Sequence, residues 1–322
     1  MEKTKKKLGA KDILQTYGAL ITLVVLVVVL SIISEDFRQM DNFMKLLRQA
    51  SVNGLIAFGM TGVILTGGID LSVGSTLAVT SLGCAMMMKA GINPVVSMIA
   101  ALIMGIILGC VSGLLVTKGR LQPFIATLIA MIVYRGVTLI LSGGRPVSNL
   151  VASGDKSFSA AIFTNFGKGM VFGIPVPAII FFLCFGIFMF ILSKTVTGRR
   201  IYATGSNETA AKLAGVNTDR SKLFVYAASG FFAAVAGLVV LSRLGSAQPT
   251  AGAGYELDAI AAVALGGTSM AGGRGKLYGT LIGILIIAVL NNGLNIMNVS
   301  SYYQDIVRGL VILLAVLSDR KR

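Results

Sequence analysis

The sequence has no histidine, three cysteines and 13 acidic residues in a chain of 322. The missing histidine removes the commonest metal ligand and the commonest general base, and no cysteine cluster replaces it. Cys84, Cys110 and Cys184 each fall in an apolar run, so they read as small buried hydrophobes and not as a disulfide framework. With no nucleophile, base or metal constellation set up by spacing, catalysis by this chain is not expected, nor is a metal or other cofactor. Charge is scarce as well: 13% of residues are charged, about half the share of a soluble domain. What the chain has is 55% hydrophobic residues gathered into segments of membrane-spanning length. The expected fold is an all-α polytopic integral membrane protein, a single transmembrane domain over residues 1–322.

A bilayer core asks for about 20 apolar residues per helix. Ten crossings can be placed, at 17–34, 52–66, 71–88, 94–117, 123–141, 176–193, 223–241, 257–270, 277–295 and 303–317. The N-terminal Met1 to Lys7 resembles a signal-peptide n-region, but the apolar run that follows lacks a small-residue cleavage site, so it reads as an uncleaved first span. Basic residues resist translocation. With both termini inside, 18 of the 28 Lys and Arg fall on the inner side and 8 on the outer, Arg135 and Arg308 lying within spans. The net charge of +15 is then explained by topology and anionic lipid, without nucleic acid. On this reading residues 194–222 form a cytoplasmic loop and 143–175 an extracytoplasmic one.

Two polar stretches interrupt the spans. In the first, Gly67 and Gly68 break a helix, and Asp70 and Ser72 follow where they can cap the next. An acidic group at depth is rare and often functional, so Asp70 reads either as a cap or as part of a gate. In the second, Glu256 and Asp258 precede another break at Gly266 and Gly267. Asn291, Asn292 and Asn295 then place amides on about one face of the ninth span, as a lining for a hydroxyl-rich solute or as helix-to-helix bonding. Asp70, Ser72, Asn291, Asn292 and Asn295 are the candidate substrate path, offering amides and hydroxyls and no cluster of fixed charge. Gly105, Gly109 and Gly113, like Gly279 and Gly283, form flat strips for close helix packing.

The 194–222 island carries six basic residues, among them Arg199 and Arg200. Within it, residues 207–215 read as a short helix capped by Ser206 or Asn207 and stopped by a left-handed Gly215. Ala210, Ala211 and Ala214 are small enough to let a partner's backbone approach.

Three runs carry a resemblance: GMTGVILTGGIDLSVG at 59–74, QPFIATL at 122–128 and SAQPTAGAGYELDAIAAVALGGTSMAGG at 246–273. They resemble the permease subunits of bacterial ABC sugar importers, and the likeness extends over essentially the whole chain. It implies a homodimer in the bacterial inner membrane, a cytoplasmic ATPase docked on a coupling helix between spans six and seven, and an extracytoplasmic sugar-binding protein. It also implies a small neutral sugar as cargo, ribose ahead of galactose, xylose or autoinducer-type sugars. The ATPase contact would fall on Arg199, Arg200, Glu208, Ala210, Ala211, Ala214 and Gly215. The chain carries no phosphate loop of its own: the nearest candidate, GGRGKL at 272–277, has Met270 where the leading glycine belongs and Leu277 where the hydroxyl belongs. A secondary transporter and a membrane enzyme are the competing classes.

Overall fold

The computed structural model describes residues 10–150 and 157–319. Expectations placed on residues 1–7, on Asp155 and Lys156 and on the basic tail at 320–322 lie outside them. Thirteen α-helices are present among the described residues. The N-terminal half holds α1 (Ala10–Ile33), α2 (Met40–Leu65), α3 (Val73–Lys89), α4 (Pro94–Thr117) and α5 (Pro123–Ser142). Next come α6 (Phe158–Lys168), α7 (Val176–Lys194), α8 (Val196–Ser206) and α9 (Glu208–Leu213). The chain closes with α10 (Thr218–Leu244), α11 (Tyr255–Leu265), α12 (Leu277–Ile296) and α13 (Ser301–Asp319). Among the described residues four two-residue strands form two antiparallel pairs: β1 (Val147–Ser148) joins β4 (Ser246–Ala247), and β2 (Met170–Val171) joins β3 (Ile174–Pro175).

The helices α4, α5, α7, α10 and α12 are each long and apolar enough to cross a bilayer. Two of these, α4 and α5, open on a proline, where the missing N–H is not needed. The protein is therefore a polytopic helical membrane protein. Eleven-residue α11 is only about 16 Å long at 1.5 Å per residue, against about 30 Å of hydrocarbon. The eighth expected segment, at 257–270, is thus a half-length helix that stops at Leu265.

At the centre, α2 and α10 are buried around most of their circumference. The second span, expected at 52–66, is instead part of one continuous helix that starts at Met40. Its first turn carries Asp41, a carboxylate at the helix's positive end. Its glycines do not break it because each accommodates a neighbour: Gly54 the ring of Phe181, Gly59 the backbone of Ser229, Gly62 the ring of Phe188. Phe58 stacks on Phe181 at 5.0 Å and meets Phe232 edge-on, so aromatic rings bind α2, α7 and α10 into one core.

The expected strip of Gly105, Gly109 and Gly113 on α4 packs on α10, its first two members against the backbone of Gly230 and Tyr226 and Gly113 against Leu223 and Tyr226. Gly279 and Gly283 of α12 lie likewise against the backbone of α11 and its C-terminal Gly266. Association of this kind relies on close van der Waals contact, since lipid offers no hydrophobic drive between helices.

Candidate functional site

The end of α2 is finished by glycine. Gly67 takes a φ of +80° and the Gly68 amide returns to the Val63 carbonyl at 3.1 Å, the left-handed stop that satisfies orphan carbonyls. The end of α11 repeats it: Gly267 has a φ of +77° and the Thr268 amide returns to Val263 at 3.2 Å. At both glycine pairs the chain leaves the helix, and the structure brings the two turns together. The Gly273 amide donates to the Leu65 carbonyl at 3.0 Å, beside the C-terminal end of α8.

Asp70 lies in the turn between α2 and α3, only 1% exposed. Its Oδ1 accepts from the Ser72 amide at 3.0 Å and the Ser72 hydroxyl at 2.6 Å, and its Oδ2 accepts from the Ser229 hydroxyl of α10 at 2.7 Å. The carboxylate closes the turn that launches α3, but it does not cap α3 from within, and Ser72 at the cap position makes no side-chain cap bond. The tie to Ser229, 159 residues away, had no signal in the local sequence. The neighbouring Ile69 carbonyl accepts from Thr127 Oγ1 of α5 at 3.1 Å. Thus the 59–74, 122–128 and 246–273 motifs meet at one junction.

The five residues of the expected substrate path are not assembled in one place. Asp70 and Ser72 belong to the junction, while Asn291, Asn292 and Asn295 lie near the far end of α12. Asn292 exchanges two hydrogen bonds with Asn42 of α2, at 3.0 and 2.8 Å, which is the helix-to-helix reading. Asn295 accepts from Gln304 at 2.9 Å. Asn291 alone of the five lines a cleft of about 410 Å³ walled by α2, α10, α11, α12 and α13. There it meets Gln49, Asn53 and Asp258, with the Asn53 amide 3.3 Å from the Asp258 carboxylate. Lys45, Arg48 and Arg243 rim the same cleft. The expectation of a path without clustered fixed charge is therefore corrected, because the fold gathers ions from the start of α2 and the end of α10. Arg48 Nε is buried and makes no hydrogen bond among the described residues.

The opposite end of the bundle carries the basic island, which folds as two helices and not as a loop around one. Thr195 caps α8 and Asn207 caps α9, its Oδ1 accepting from the Ala210 amide at 2.9 Å. Gly215, at a φ of +80°, ends α9 as expected. Ala210 and Ala214 are exposed, but Ala211 is 5% exposed and packs into its own chain. It is not available to a partner: its position one turn from the cap points it inward, a direction that side-chain size alone does not reveal. Leu213, missed by that reading, is 87% exposed. Glu208 forms ion pairs with Lys222 at 2.7 Å and Lys212 at 2.9 Å. Burial pushes its pKa up, but the hydrogen bonds and charges of the two lysines win and hold it down to about 2. Two cavities of about 520 and 290 Å³ border this pair.

Residues 42–316 match the family described as branched-chain amino acid transport system / permease component. The chain is 50% identical over 322 residues to the ribose import permease protein RbsC of Bacillus subtilis (strain 168), covering 100% of this chain and 98% of that protein. It is 49% identical over 304 residues to RbsC of Escherichia coli (strain K12), covering 94% and 93%. To the D-allose transport system permease protein AlsC of the same organism it is 40% identical over 306 residues, covering 94% and 91%. No solved structure matches the chain.

Proposed function

We propose, from the premise that this chain belongs to the family of branched-chain amino acid transport system / permease components, that it is the translocation subunit of an ATP-driven importer of ribose. The observation that carries this is the likeness to a ribose import permease at 50% identity along the full length of both proteins. A permease component moves solute and leaves ATP hydrolysis to a separate chain. Its partners are accordingly an ATPase and an extracytoplasmic sugar-binding protein.

Finer features belong to the same reading: ten crossings of the inner membrane, the eighth completed by the non-helical residues 266–276 that follow half-length α11, with both termini cytoplasmic, a single transmembrane domain, a second copy as partner and lipid around the bundle. The exposed valines of α1 and isoleucines of α4 suit a lipid contact. With that orientation α8 and α9 face the cytoplasm, where Arg199, Arg200, Ala210, Leu213, Ala214 and Gly215 offer the ATPase a surface. The polar cleft then opens outward, beneath the binding protein. Amides present donors and acceptors together, which matches a neutral polyol, and Asn53 and Asn291 are the contacts assigned to the sugar.

The test is uptake by the chain reconstituted with its ATPase and binding protein. Ribose should enter faster than allose or galactose, and leucine should not enter. Equal uptake of leucine overturns the sugar reading. Asn53→Leu and Asn291→Leu should each lower ribose uptake while basal ATP hydrolysis is retained, and unchanged uptake in both removes the cleft from the path.

A further inference from the structure

One face of α10 carries Lys222, Tyr226 and Ser229, four and then three residues apart, so their side chains lie in a row along the helix. The row starts at the short helix α9, where the Lys222 ammonium donates to Glu208 at 2.7 Å. It ends in the turn between α2 and α3, where the Ser229 hydroxyl donates to Asp70 at 2.7 Å. Between the two, the Tyr226 hydroxyl lies 3.5 Å from the Ile69 carbonyl, a long contact into that turn. Tyr226 and Ser229 are buried, so water does not compete for these bonds. Along this row runs the cavity of about 290 Å³, bordered by Gly67, Gly68, Glu208, Lys222 and Tyr226. The glycine turn therefore adjoins open volume on the side that faces the ion pair. Gly68 itself sits against the Tyr226 hydroxyl, where a side chain would collide.

We infer that this row links the ATPase-facing helix to the break between α2 and α3, and that Glu208 and Lys222 are positioning residues for transport. The inference rests on the permease reading given above. Displacement of α9 is passed to α10 by the Glu208–Lys222 pair, which is held from the other side by Lys212. From α10 it reaches Asp70 and Ile69 through Ser229 and Tyr226. Because the helix is rigid and buried, a shift at Lys222 moves Ser229 with it. The turn yields because Gly67 and Gly68 leave it room. Spatial order alone does not establish coupling, so two experiments that measure the interaction between the two ends decide the proposal.

The first experiment needs no transport. Amide hydrogen exchange is followed in the full chain in lipid nanodiscs, as the native sequence and as Lys222→Met. Faster exchange over residues 66–72, with α5 near Tyr134 unchanged, is the expected result; unchanged exchange over 66–72 overturns the proposal.

The second uses the complex with its ATPase and binding protein, and reads solute moved per ATP hydrolysed. Lys222→Met and Ser229→Ala should each assemble, hydrolyse ATP and lower that ratio about tenfold, within the usual range for coupling between sites. The double variant should be no worse than the poorer single one, since both cut one linkage. The exchange Glu208→Lys with Lys222→Glu, made together with Lys212→Gln so that the new lysine faces no second cation, should restore most of the ratio, which a merely structural loss would not allow. Unaltered ratios in both single variants, or multiplying losses in the double variant, refute the linkage. Should the native complex import a different solute, the substrate reading fails, and the ratio measured with that solute still decides the linkage.

Discussion

Replacing Asp70 tests the junction directly. The carboxylate accepts three hydrogen bonds, from the Ser72 amide, the Ser72 hydroxyl and the Ser229 hydroxyl. Asp70→Ala leaves all three donors without that acceptor in a buried site. Each unmade buried donor costs about 1–3 kcal/mol. The hydroxyls can turn toward carbonyls of their own chain, as helical serines do, so the amide and at most one hydroxyl carry the full penalty. That gives a loss of about 1–6 kcal/mol. Asp70→Asn keeps Oδ1 for Ser72, and its Nδ2 faces a Ser229 hydroxyl that can rotate to accept. The loss should then be about 1 kcal/mol, the difference between a charge-assisted and a neutral bond. The chain lacks tryptophan, but buried Cys84 provides a probe once the half-buried Cys110 and Cys184 are replaced by alanine: a thiol-reactive dye then reports its exposure as the purified protein is heated in detergent. Asp70→Asn should unfold close to the native protein and Asp70→Ala well below it. Equal destabilisation by the two substitutions refutes the hydrogen-bond reasoning, and a stable Asp70→Asn that assembles without transporting gives the charge a part in gating.

Acid should act on the Glu208–Lys222 pair in one direction. The folded carboxyl is depressed to about 2, below the ordinary value of about 4.3, so the pair's contribution is complete above pH 4.3 and fades as pH falls toward 2. The difference in melting temperature between the native chain and Glu208→Gln should thus be constant near neutrality and shrink over that interval. On α9, Leu213→Asp should leave the chain folded yet weaken its copurification with the ATPase, whereas Ala211→Glu should destabilise the chain itself, because Ala211 is buried in it. Undiminished copurification of Leu213→Asp removes α9 from the contact. Reporter fusions after Arg120, Lys212 and Lys276 should behave as cytoplasmic and those near Gly252 and Ser300 as external; an external signal at Lys212 inverts the assigned orientation.

Most of the helix positions were legible because apolar length and glycine punctuation are local properties. Pro94–Thr117 was bounded to the residue by its apolar run. The start of α2 was not legible, since its first turns carry Asp41, Lys45 and Arg48, which break the hydropathy pattern without breaking the helix. The two glycine breaks were visible, yet not that they meet, because the Leu65–Gly273 bond spans most of the chain. The path residues fared least well. Spacing put Asn291, Asn292 and Asn295 near one face, but only folding decided that Asn292 bonds Asn42 while Asn291 enters the cleft with Asn53. Composition likewise marked Ala211 along with Ala210 and Ala214 as interface residues, and hid that Ala211 is buried while Leu213 faces outward.

The bond between the Leu65 carbonyl and the Gly273 amide also bears on how the chain is built. Synthesis proceeds from the N-terminus, so α2 enters the membrane long before the residue that completes its last turn exists. Until the segment after α11 emerges, that carbonyl must be served by water or by a temporary neighbour, which places a premium on keeping this end of α2 at the bilayer edge during insertion. A nascent chain halted before Gly273 should therefore hold its first helices in an unsealed arrangement open to proteases at 66–72, and release of the remaining sequence should close it.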